Sequence, residues 1–309
     1  DKLVNFQFDS CNPHFVTVQQ LPAALFMLPN LETVQIDCHV GGTIPPEIKN
    51  AKRLTSLSLV RAQLRGAIPV LPRSLITIDL SDNQLNDWIE ALDPGNEPRL
   101  NEVLLNGNLF QKLPRQALSA TTLYLGRNQL QGTLPSNLFM HGVTDLDLSH
   151  NNLTGTVPVN FPAETELFSV ALASNRLTGI VPSEFATLPS LIHLDLSNNN
   201  FTGNLAGWNI ETSPKDEYQK LILTVSGNQL SGQLVDLHSL KHLSSITLSN
   251  NKLNGSIPRL PLSINEIDFS HNDLEDLQTL CTDCSELTNI DISYNKLQGT
   301  ISHANLKYP

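Results

Sequence analysis

A chain of 309 residues, 40% hydrophobic and 16% charged, holds enough apolar material for a large core. Its 30 Asp and Glu against 19 Lys and Arg leave a formal charge of −11. That balance speaks against a nucleic-acid binder, which needs a basic surface, and suits a basic partner or no partner at all. No apolar run is long enough to span a membrane. No signal peptide precedes Asp1, so the sequence reads as a processed or partial form of a longer chain.

Taken in chain order, short segments repeat: LVNFQFDSC, LETVQIDCHVGGTIP, LTSLSLVRAQL, then DLDLSHNNLTGTVP at 145 and HLDLSNNNFTGNL at 193. Aligned on L-x-x-L-x-L-x-x-N-x-L, they give thirteen copies spaced 20 to 29 residues apart. Asn83, Asn108, Asn128, Asn151, Asn175, Asn199, Asn228, Asn251, Asn272 and Asn295 fill the Asn slot, with Cys11, Cys38 and Ala62 in the first three copies. The x-L-x-L part predicts a short strand with its apolar residues inward and the residues between them outward. Stacked coils merge their apolar residues into a core that no single repeat could build. The Asn, carrying two amide donors and an acceptor, is expected to satisfy buried backbone where the chain leaves each strand.

The second half of each copy is equally regular: LRGAIP at 64, LQGTLP at 130, LTGTVP at 153, LNGSIP at 253. Gly admits a backbone conformation that other residues resist, and Pro fixes φ. Period and motif identify a leucine-rich repeat. This half resembles the extracellular repeats of plant receptor kinases, polygalacturonase inhibitors and related surface proteins. Copies with an LPxSL lead-in, at 71 and 260, also resemble those of protist surface proteins. The cysteine-paired cap with a Trp that plant members carry before the first repeat is not found. The expected fold is an α/β solenoid, a right-handed superhelix with a parallel concave sheet and a convex side of 3₁₀ turns, extended pieces and up to two helices. It is expected as a single domain over 1–309. Thirteen strands ~4.8 Å apart would make a sheet about 60 Å long.

The residue between the two strand leucines should face outward. In order these are Gln7, Gln35, Ser58, Asp79, Leu104, Tyr124, Asp147, Ala171, Asp195, Thr224, Thr247, Asp268 and Asp291, with Asp145 and Glu266 beside the row. Asp268 and Asp291 should be neighbours, which costs energy unless something compensates. The acids suit a calcium site or a dock for basic residues; equally, LDLS is a common form of this repeat. Binding hot spots favour Trp, Tyr and Arg, and the face offers mainly small polar residues apart from Tyr124, Arg127, His150, His193, His271 and Tyr294, of which Arg127 and His150 should be adjacent. The candidate ligand-binding residues are therefore Tyr124, Arg127, Asp147, His150, Asp195, Asp268, Asp291 and Tyr294.

Three sequons, at Asn152, Asn200 and Asn254, are candidate glycosylation sites. Asn152 and Asn200 each follow the inward Asn and are expected to face solvent. Cys11 and Cys38 share the slot on adjacent coils, close enough for a disulfide, or they are two buried thiols; Cys281-Thr-Asp-Cys284 suits a local disulfide better than a zinc site. The irregular stretches GWNIETSPKDEYQ (207–219) and NDWIEALDPGNEPR (86–99) carry the two Trp. They read either as functional loops or as Trp covering the core, with WIEAL a short helix. No phosphate-binding, dinucleotide, HExxH or GxSxG pattern is present, and no metal or cofactor is expected. The resemblance implies a non-enzymatic extracellular module that binds a protein, peptide or glycan, with no nucleic acid. The alternatives are a structural or self-assembling surface protein and an inhibitor of a secreted enzyme.

Overall fold

The computed structural model describes residues 2–9, 20–89, 98–113, 115–209, 220–276 and 286–298. They form two compact units, Asp1–Gly132 with His141–Asn152 and Thr133–Met140 with Leu153–Pro309. Each unit is a parallel-strand β-solenoid.

In the first unit, seven short strands stack in sequence order: Asn5–Asp9, Thr33–Asp37, Ser56–Ser58, Thr77–Asp79, Glu102–Leu104, Thr122–Tyr124 and Asp145–Asp147. Every neighbouring pair is parallel, and the register runs Gln7, Gln35, Ser58, Asp79, Leu104, Tyr124, Asp147. The second unit continues the pattern with Ala171, Asp195, Thr224, Thr247, Asp268 and Asp291 in register on six parallel strands. Within each unit, the outward row is the one read from the repeat. Its inward partners are buried: Val34, Leu57, Ile78, Val103, Leu123 and Leu146 are each at most 2% exposed.

The Asn slot closes the coils as expected. Asn128 Nδ2 donates to the carbonyls of Leu105 on the preceding coil and Leu125 on its own, both at 3.0 Å. Its Oδ1 accepts the Phe110 N–H at 3.0 Å. Asn83, Asn199, Asn228 and Asn272 repeat the pattern. One amide thereby serves backbone groups that neither strand nor water can reach.

One regularity was not legible. The residue just before the inward Asn adopts a left-handed conformation in coil after coil: φ is 55° at Arg127, 54° at His150, 53° at His271 and 52° at Tyr294. This prolongs the ladder beyond three-residue strands, since the Arg127 N–H donates to the Ser149 carbonyl at 2.9 Å and that of His271 to Ser293 at 3.0 Å.

The return side of the coils holds short parallel pairs, such as Arg65–Ile68 with Gln84–Trp88, and 3₁₀ turns at Ala23–Met27, Pro46–Asn50, Arg115–Ser119 and Ser183–Thr187. Among the described residues every helical turn is 3₁₀. Trp88 ends a strand rather than opening a helix; residues 90–97 and 210–219 lie outside the described residues. Both Trp are core residues, Trp88 at 7% and Trp208 at 0% exposure, and Trp208 Nε1 donates to the Val181 carbonyl at 3.4 Å. Glycine is required at Gly179, where φ is 93° and an added Cβ would meet Thr156 Cγ2 at 2.9 Å.

Candidate functional site on the strand face

In the first unit, Tyr124 stands half-buried between Leu104 and Asp147, and Thr122 stands between Glu102 and Asp145. Burial raises the Tyr124 phenol above its ordinary pKa, and the charges of Asp145, Asp147 and Glu102 raise it further. Asp147 is held in place. Its Oδ1 accepts the Ser149 N–H at 2.9 Å and the Ser149 hydroxyl at 2.6 Å. Its Oδ2 packs over Gly126, where a Cβ would lie only 2.6 Å away. Arg127 and His150, both exposed, occupy the left-handed position on successive coils beside this group. Tyr124 and Asp147 are thus register neighbours, the Arg127 backbone bonds Ser149 just before His150, and Glu102, which the sequence reading had passed over, adds its charge to those around Tyr124. The surface is acidic on balance and carries one aromatic ring at its centre.

In the second unit, Asp268 and Asp291 are register neighbours, and Tyr294 follows three residues beyond Asp291. The Tyr294 ring stacks on His271 with centroids 4.1 Å apart and planes 10° from parallel. The Asp268–Asp291 adjacency is compensated locally. Asp268 Oδ1 accepts from the Ser270 N–H at 3.0 Å and its hydroxyl at 2.7 Å, and Asp291 Oδ1 accepts the Ser293 N–H at 2.9 Å. The hydroxyl and N–H of Ser293 hold the exposed Asp291 carboxyl below its ordinary pKa, with slight desolvation opposing and the nearby His271 assisting. Asp195, on a different coil, accepts the Ser197 N–H at 2.9 Å. The recurring Asp-x-Ser is therefore a turn device in which the carboxylate caps the chain as it leaves the strand. Part of the acidic row exists for that reason alone. Among the described residues, no group of three His, Cys, Asp or Glu could hold a metal ion.

On the return side, Asp236 bridges two partners: His238 Nδ1 at 2.8 Å and Arg259 at 2.7 Å. Its carboxyl feels partial burial, which raises its pKa. Bonds from the His238 N–H and ring and from Arg259 bring it below the ordinary value. This cluster pins two coils.

The sequons differ in exposure. Asn254 is exposed. Asn152 and Asn200 are half-buried rather than facing solvent, and Asn200 Oδ1 accepts a bond from Gln229 Nε2 at 3.1 Å. Cys38 is buried at 7% exposure and disulfide-bonded; Cys11, Cys281 and Cys284 lie outside the described residues.

Stacked parallel strands, an inward Asn ladder and Gly-Pro return turns define the class: these are leucine-rich-repeat solenoids. Residues 142–163 and 190–209 match the family model described as Leucine Rich Repeat. The chain is 29% identical over 233 residues to Receptor-like kinase TMK2 of Arabidopsis thaliana, a stretch covering 72% of this chain and 23% of that protein. Among solved structures, PEPR1–AtPEP1 is similar with a TM-score of 0.70 and 26% identity over 92% of this chain and 44% of that one. The plant peptide hormone receptor RGFR1 in complex with RGF2 has the same fold, with a TM-score of 0.68, 24% identity, and coverage of 92% and 55%. This chain therefore spans only about a quarter of the length of the receptor-like kinase it matches. No helix among the described residues is long and apolar enough to cross a membrane.

Proposed function

We propose that this chain is an extracellular, non-enzymatic recognition module that takes a basic protein or peptide partner on its strand face. The observation that carries the reading is the group around Tyr124: an aromatic ring flanked by Glu102, Asp145 and Asp147, on a sheet that holds each side chain in register. A rigid strand face loses little entropy on binding, and carboxylates beside an aromatic ring favour a cationic ligand through charge and ring quadrupole together. The similarity in fold to PEPR1–AtPEP1 and to the plant peptide hormone receptor RGFR1 in complex with RGF2 supports this reading.

The test is capture from the extracellular fraction of the source organism by the immobilised chain, compared with Tyr124→Ala/Glu102→Gln. The expected result is a retained protein or peptide that elutes as salt rises through the range in which the Debye length falls below ~10 Å. Binding should be lost in the variant without a change in melting temperature. Equal capture by the variant removes this face from consideration. A native mass that is a multiple of the chain mass would instead favour an assembling surface protein.

A further inference from the structure

The residue just before the first outward strand position is polar in most coils, and its side chain serves the backbone. Thr55 donates to the Glu32 carbonyl at 3.1 Å, Thr121 to Asn101 at 3.0 Å and Thr288 to Asn265 at 3.0 Å. In the second unit three successive coils break this rule with Phe168, Ile192 and the buried Leu221, and the third also carries Ile222 at the first outward position. Phe168, Ile192 and Ile222 are neighbours: the Ile192 N–H donates to the Phe168 carbonyl at 3.0 Å, and the Ile222 N–H to the Ile192 carbonyl at 2.8 Å. Phe168 is 45% and Ile222 42% exposed, and Ile192 is half-buried.

The core does not need them, because Leu167, Val170, Leu191, Leu194, Leu221 and Leu223 already fill it at no more than 1% exposure. Scattered exposed apolar residues are ordinary, whereas a contiguous row is not. The charges around the row are acidic. Glu164 and Glu166 are exposed on the approach to Phe168, and Asp195 lies two residues beyond His193, the register partner of Ile222. Lys220 is taken up by Glu286 at 2.6 Å.

From this geometry we infer a second binding element that deepens the function proposed above and rests on it: an apolar strip for an extended peptide segment whose two apolar side chains, separated by one residue, are flanked by Lys or Arg. Spacing supports the match. Three neighbouring coils ~4.8 Å apart span about 9.6 Å, so two alternate side chains of an extended peptide, ~6.6 Å apart, fall within the strip. A segment lying across the strands thus sets successive same-side residues over the strip while its cations reach Glu164, Glu166 and Asp195.

The experiment pans a random twelve-residue peptide display library on the full chain. Synthetic copies of the enriched peptides are then measured by fluorescence anisotropy against three variants. Phe168→Thr/Ile192→Thr/Ile222→Thr introduces residues that other coils carry at these positions, so the fold should hold, as an unchanged circular dichroism melt would verify. Enriched peptides should carry the apolar-x-apolar pattern with adjacent Lys or Arg and bind this variant at least about tenfold more weakly, in keeping with loss of partly buried apolar contacts. Glu164→Gln/Glu166→Gln should weaken binding a few-fold and flatten its salt dependence. Peptides that bind the Thr variant as well as the parent, or that are acidic, overturn the strip. If those same peptides are lost on Tyr124→Ala/Glu102→Gln, the strand-face reading stands and the strip alone falls. No enrichment over an empty surface removes both. A concentration-dependent dimer that the Thr variant dissolves would assign the strip to a second copy and overturn the peptide assignment.

Discussion

Replacing Asn128 by Ala tests the backbone-satisfying ladder in quantitative terms. The substitution orphans the buried Phe110 N–H, whose bond to Asn128 Oδ1 is 3.0 Å. The three carbonyls that Asn128 serves are each left with one donor: Leu105 keeps Asn108 at 3.1 Å, Leu125 keeps Asn151 at 3.0 Å, and Gly126 keeps the Gly107 N–H at 2.9 Å. An orphaned buried donor costs about 1–3 kcal/mol, and losing one of two bonds to a carbonyl costs less, so Asn128→Ala should cost about 2–4 kcal/mol. Asn151→Ala should cost about the same, because it strips the bond to the Leu130 N–H at 2.9 Å. In the double variant the Leu125 carbonyl loses both donors at once, so the pair should exceed the sum of the singles by about 1 kcal/mol. Urea unfolding followed by circular dichroism measures the total. Hydrogen exchange at the Phe110 amide reads the local loss without assuming that the repeats unfold together. A single cost below about 0.5 kcal/mol, or additivity within about 0.3 kcal/mol, would refute the reasoning.

The Tyr124 phenol should titrate later than an ordinary tyrosine in ultraviolet difference titration against Tyr124→Phe, and Asp145→Asn/Asp147→Asn should move it back down. His242 is buried at 6% exposure, and burial lowers its pKa in the folded state. The unfolded chain therefore binds this proton first, and stability should fall as pH drops below about 6.5 toward the folded value. His242→Gln should shrink that slope in melts taken across the range. Gly179→Ala should cost about 1–3 kcal/mol in denaturant unfolding, and adding Thr156→Ala should recover part of it by removing the methyl that an alanine Cβ would meet. If the chain passes through the secretory route, mass spectrometry before and after enzymatic deglycosylation should find Asn254 the most fully occupied sequon.

The outward row was legible because strand periodicity is two and the leucines decide which side is in; once the repeats were aligned, the register followed within each unit. The Asn ladder was legible because the amide chemistry allows little else at a buried turn. The left-handed residue before each Asn was not. Arg127, His150 and Tyr294 fill it as readily as glycine does at Gly107 and Gly227, so no residue type announces it. The Asp-x-Ser bonds were hidden for a related reason: a carboxylate reads as surface charge until its partner two residues on is placed. Sequon exposure was misjudged for Asn152 and Asn200. They follow the inward Asn directly and are held half-buried, whereas Asn254 sits two places further along its coil. The apolar strip stands out only against the polar residues at the same position of other coils, a comparison that needs the register first.

The central claim is that the strand face, not the return side, meets the ligand. A photo-crosslinking amino acid placed at Tyr124, and in a parallel preparation at the exposed Thr178 of the return side, tests it directly in the extracellular fraction of the source organism. The account predicts a discrete covalent adduct from position 124 and none from position 178. An adduct from 178 alone would contradict it.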